Sequence, residues 1–182
     1  MIIAQKLRET NRAEYLLYMW QVEDLVRAYG LDADRIATEY VARFELDETT
    51  RKATEQWYAD ICQMMREEGL TQQGHLQICK NTLSALEELH QNLLGSEKFP
   101  YYRQMYYKVL PYIVELRSKN PDPDKQPSEL ETCFNALYGV MMLRLQKKDI
   151  SPETAAAIKD IGTLTGQLSD YFNRDRKEPI EF

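Results

Sequence analysis

The chain is poor in the side chains that most often do chemistry or staple small folds: its 182 residues include two histidines, three cysteines and two tryptophans. A di-metal site in a helical bundle needs two Glu-x-x-His elements and two further glutamates. Only Glu87 to His90 has that spacing, and His75 has no acidic residue three positions before it. No metal or cofactor is therefore expected. Cys62, Cys79 and Cys133 are odd in number, widely spaced and without a C-x-x-C. They read as buried free thiols in a reducing compartment rather than a disulfide framework or zinc site. A Gly-rich phosphate loop, G-x-S-x-G, H-E-x-x-H and an arginine-rich helix-turn-helix surface are all missing, so no catalytic residue is expected.

Long apolar runs are missing too. Nothing approaches the ~18 consecutive apolar residues of a membrane span. The opening Met1 to Arg8 breaks its apolar stretch at Gln5, before a signal core could form, so a cytoplasmic protein is expected. The net charge of -6 falls entirely in residues 1–95, which hold 10 basic and 16 acidic residues, while 96–182 balance at 13 and 13. That sign disfavours general nucleic-acid binding.

What is present is helical periodicity. The seven glycines and seven prolines fall mostly between stretches of helical period, and β-branched alternation is nearly absent. Asn11 with Glu14 opens a helix that Gly30 stops, and Gly30-Leu31 and Gly69-Leu70 share the pattern of a left-handed glycine followed by an apolar residue folding back. A short helix covers Ile36 to Phe44. Asp47 caps a longer one with Trp57, Ile61, Met64 and Met65 on its inner face. Leu76, Cys79, Leu83, Leu86, His90 and Leu93 follow a 3-4-3-4-3 seam. Residues 99–118 form a further helix that Pro111 should kink or split near Tyr107 to Leu110. Ser128 with Glu131 restarts helix after a Pro-rich internal linker at 120–127, and the following stretch to Leu145 is apolar nearly all round, which places it mid-bundle. Ser151 and Pro152 open the last helix, whose tail should fray from Arg174. The fold expected is all-α: a compact bundle of about six to seven antiparallel helices forming a single domain over 1–182.

Three features carry functional interest. Lys98, Arg103, Lys108, Arg117 and Lys119 face only Glu115 among acids in 98–119, interleaved with Tyr106, Tyr107 and other rings. Such a mixture suits a small anionic ligand or single-stranded nucleic acid, although tyrosines filling the core beside solvated lysines explain it as well. Gly162-x-x-x-Gly166 with Ser169 forms a small-residue stripe that suggests close helix packing, within the chain or with a second subunit. Trp20, Glu23, Asp24 and Arg27 share one side of two helical turns, with Glu23 and Arg27 at ion-pair spacing.

The opening Met1-Ile2-Ile3-Ala4-Gln5 and the block Asn11 to Ala28, most specifically Tyr18-Met19-Trp20-Gln21-Val22-Glu23-Asp24-Leu25, resemble a bacterial family of about this length that is a domain of unknown function. The resemblance spans essentially the whole chain and implies an all-helical protein with no assigned activity. The reading that results is a non-enzymatic helical interaction or structural protein, self-associating as a homodimer or binding another protein, with an anion- or nucleic-acid-binding module as the alternative. Its candidate polar residues are Trp20, Glu23, Asp24, Arg27, Glu87, His90, Arg103, Tyr106, Tyr107 and Lys108.

Overall fold

A computed structural model describes residues 2–119 and 126–182. Most of the expected 120–127 linker lies outside the described residues, which contain no strand. They form eight α-helices: α1 (Ile2–Thr10), α2 (Arg12–Ala28), α3 (Ala33–Arg35), α4 (Glu48–Glu67), α5 (Gln77–Gly95), α6 (Pro100–Ser118), α7 (Glu129–Leu145) and α8 (Pro152–Lys177). The expected six to seven omitted α1, which is short and ends at the break before Arg12.

Local chemistry sets the helix ends. Leu31 N–H donates to the Val26 carbonyl and Leu70 N–H to the Met65 carbonyl, with Gly30 at φ 67° and Gly69 at φ 70°. Both are the six-to-one closure that a left-handed glycine allows. Asp47, Ser128 and Ser151 each accept from the backbone N–H three residues on. The short helix after Asp32 is less regular than periodicity suggests: α3 widens to a π-turn over Ile36–Tyr40 and closes as a 3-10 turn over Val41–Arg43. Pro111 does not split α6, which continues through it. α8 also holds its helix to Lys177, past the point where fraying was expected.

The chain divides into two compact units, one of residues 1–10 and 14–82, the other of residues 11–13 and 83–182. In the first, Leu16, Met19 and Val26 of α2 are buried, as are Tyr58, Ile61 and Met65 of α4. Full burial of each aliphatic side chain contributes roughly 1.5–3 kcal/mol. Trp57 and Met64, expected inside, are half-buried, because the inner face of α4 is turned toward Thr54, Tyr58 and Cys62.

In the second unit α8 packs against α6 and α7. Its core includes Leu86 and Leu93 of α5, Tyr102, Val109 and Ile113 of α6, Phe134 of α7, and Leu164 and Leu168 of α8. Two expectations fail here. α7 does not run through the middle: Gly139, Leu143 and Leu145 are exposed, the last at 65%. The Gly162/Gly166 stripe makes no tight intrachain approach either. A Cβ at Gly166 would meet nothing within 4 Å, and one at Gly162 only the Leu137 side chain at 3.8 Å.

Candidate functional site

Two polar assemblies stand out, one in each unit. The first is the α2 stripe of Trp20, Glu23, Asp24 and Arg27, spaced so that all four lie on one helical face. Glu23 is 0% exposed. It does not pair with Arg27 as its spacing suggested; its carboxylate lies 2.6 Å from His75 Nδ1 and accepts the Leu76 N–H at 2.9 Å. Trp20 stacks on the His75 ring at 4.3 Å. Asp24 takes Arg27 at 2.7 Å, and the Arg27 guanidinium donates to the carbonyls of Leu70, at 3.2 Å, and Gly74. The stripe thus grips the loop joining α4 to α5.

That grip also supplies what α5 lacks. α5 has no acidic residue in its first turn, yet Leu76 N–H is held by Glu23 and Gln77 N–H by Glu68 at 2.7 Å. Two carboxylates from outside the helix therefore face its positive end, the favourable arrangement for a helix dipole. Cys79 lies in the same nest, and burial together with the Glu23 charge pushes its thiol pKa well up, so the thiol keeps its proton near pH 7. The chemistry of this stripe is positioning: it fixes a loop and starts a helix. His75, set aside in the sequence for want of a nearby acid, is its hub.

The second assembly surrounds His90 on α5, which is 3% exposed. Its Nδ1 lies 2.6 Å from the Tyr102 hydroxyl, and the Tyr106 ring stands edge-on at 5.4 Å. Tyr106 donates to Glu129 at 2.8 Å, and burial, reinforced by that bond, raises its pKa to about 12. The Ser128 hydroxyl donates to Glu87 while its oxygen accepts the Glu131 N–H at 3.0 Å, so the α7 cap is also a tie to α5. Burial lowers the His90 pKa, with Glu129 opposing, so the ring is neutral near pH 7. A cavity of about 300 Å³ is lined by Glu87, Glu88, His90, Ser128, Glu129 and Leu130. His90 Nε2 is buried and has no hydrogen-bond partner. The ring is thus hydrogen-bonded on one side only. Among the described residues no group of three or more His, Cys, Asp or Glu side chains is arranged to hold a metal ion.

The structure therefore brings Glu87 and His90 into one cavity and sets Tyr106 against the His90 ring, while Arg103, Tyr107 and Lys108 do not line that cavity. Lys108 pairs with Asp160 at 2.6 Å, Lys119 with Glu115 at 2.8 Å, and Arg117 stands 3.9 Å from Glu129. Tyr107 is 59% exposed. Three of the five cations of the basic segment, Lys108, Arg117 and Lys119, thus stand near an acid, while Lys98 donates to the Glu181 carbonyl at 3.0 Å. Glu129 and Tyr102 were missed because they meet His90 only through tertiary packing.

A third feature is apolar. A groove of about 560 Å³ runs between α6, α7 and α8, with Leu116, Ala136, Gly139, Val140, Leu143 and Ile158 among its walls.

The fold and these sites define an all-helical protein whose polar clusters mostly hold its own helices in place, and no described helix is long and apolar enough to cross a membrane. Residues 1–179 match the family described as Domain of unknown function (DUF4924), and the chain belongs to that family. No curated protein and no solved structure matches it.

Proposed function

We propose that this chain is a helical interaction module, cytoplasmic and non-enzymatic, that pairs with a second copy of itself through the α7 face. The observation that carries the reading is α7 itself. Its sequence is apolar on nearly every side, yet Leu143 and Leu145 are exposed, beside the groove floored by Ala136 and Gly139. A Cβ at Gly139 would meet nothing within 4 Å in this chain, so the backbone there is open to close approach. Ridge and groove lie on the same helix, which is what a two-fold, self-complementary contact requires. The free, buried thiols support a reducing compartment.

Sedimentation velocity at several concentrations tests the reading. The expected result is a reversible dimer that Leu143→Asp with Leu145→Asp converts to a folded monomer. A wild-type protein that stays monomeric at the highest concentration would overturn it.

A further inference from the structure

Trp57 and Met64, the two large apolar side chains of α4 that stay half-buried, border the same cavity. With Ile61 between them they are spaced four and three residues apart, so they form one stripe of the helix. The cavity has a volume of about 300 Å³, and every residue lining it belongs to the first unit. Tyr15 and Met19 of α2, both buried, continue the apolar wall. Two rings and two thioethers thus border one space. Such walls suit a flat aromatic guest, because rings pair edge to face or offset and a thioether sulfur is attracted to a ring edge. A saturated chain gains neither contact.

The charged and amide part of the lining comes from α1. Gln5 and Arg8 are exposed and three residues apart, which sets them on the same side of the helix. Among the described residues no hydrogen bond, ion pair or ring contact engages either side chain. Arg27 and Arg66, by contrast, are committed to loop carbonyls. No acidic residue lines the cavity, so nothing in it competes for the Arg8 guanidinium. A guanidinium is a planar fork of donors that matches a carboxylate at two points, and an amide N–H beside it adds a third donor. The lining therefore asks for an aromatic body and a negative head.

We propose that this cavity binds a small aryl carboxylate, its ring against Trp57 and Met64 and its carboxylate accepting from the Arg8 guanidinium and the Gln5 amide N–H. The volume takes a molecule the size of phenylacetate. The site shares no residue with the α7 face, so it stands or falls independently of the self-association reading.

Isothermal titration of the full chain with phenylacetate at low salt and neutral pH tests the proposal. Saturable binding is expected, at least about tenfold tighter than that of 2-phenylethanol, which lacks the charge. Arg8→Gln should lose that advantage: phenylacetate weakens by the same factor while 2-phenylethanol is unchanged. Arg8 is exposed and engages nothing, so the circular dichroism of the variant should match wild type. Tryptophan emission should change on saturation with phenylacetate, and the change should vanish in Trp57→Phe, which keeps a ring in the wall and leaves Trp20 as the reporter. Octanoate should bind more weakly than phenylacetate, and acetate should give no saturable heat. The proposal fails if wild type shows no saturable phenylacetate binding, if 2-phenylethanol or octanoate binds as tightly, if folded Arg8→Gln binds phenylacetate as wild type does, or if the emission change persists in Trp57→Phe.

Discussion

At the residue scale, the buried carboxylate of Glu23 carries the largest single consequence. It is 0% exposed and serves His75 and the Leu76 N–H together. Glu23→Ala removes the acceptor that both share and leaves the buried Leu76 N–H without a partner, a loss of about 1–3 kcal/mol. Urea unfolding should register a loss of that order, with a smaller loss for Glu23→Gln, which keeps an acceptor for Leu76. Lys147 offers the opposite case. It closes α7 at φ 56°, with Lys148 N–H donating to the Leu143 carbonyl at 3.0 Å, the same closure that glycine makes after α2 and α4. A side chain in that region costs about 1 kcal/mol, so Lys147→Gly should raise unfolding free energy by about that much. His90 governs a pH effect. Burial lowers its pKa below the ordinary 6.5, so the unfolded chain binds a proton before the folded one does. This part of the stability is present above the unfolded value and is lost as pH falls through it toward the lower folded value. In His90→Gln, the fall in unfolding free energy between about pH 7 and pH 5 should be shallower than in wild type.

At the scale of elements, α7 separates two properties that usually travel together. Gly139 sits exposed in the middle of this helix, where glycine costs about 1 kcal/mol relative to alanine, and nothing within 4 Å of its absent Cβ requires it. Gly139→Ala should therefore stabilise the monomer by about 1 kcal/mol. If a second copy uses the open backbone, the same substitution should weaken the dimer, read as a higher dissociation constant in sedimentation. The helices show why some of this was legible and some was not. The Gly-Leu stops and the Asp47, Ser128 and Ser151 caps are settled within three to five residues, so sequence alone displays them. His75 meets Glu23 across 52 positions, and Glu129 reaches the His90 cavity only because α7 docks beside α5, so neither leaves a local signature. An all-apolar helix reads the same from its sequence whether its sides are covered by its own chain or left open. That is why α7 was placed at the centre of a bundle, and why its exposed residues are informative.

For the whole molecule, the question is whether its two compact units behave as one folding domain. Residues 77–82 of α5 belong to the first and residues 83–95 to the second, with the helix uninterrupted between them. Melting either unit alone would end α5 in mid-helix and expose Leu86 or Cys79, each at most 1% exposed in the folded chain. Helix propagation is cooperative and a new end leaves carbonyls or N–H groups unpartnered, so partial unfolding carries a penalty beyond the apolar area it uncovers. We therefore predict one cooperative transition. Trp20 and Trp57 both lie in the first unit, so tryptophan fluorescence follows that unit alone while far-ultraviolet circular dichroism follows every helix. In urea the two signals should give the same midpoint and the same slope, the behaviour of a two-state domain. Dichroism that retains a second step after the fluorescence change is complete would mean that the second unit stands without the first. The carboxylate grip on the start of α5 would then organise the first unit only.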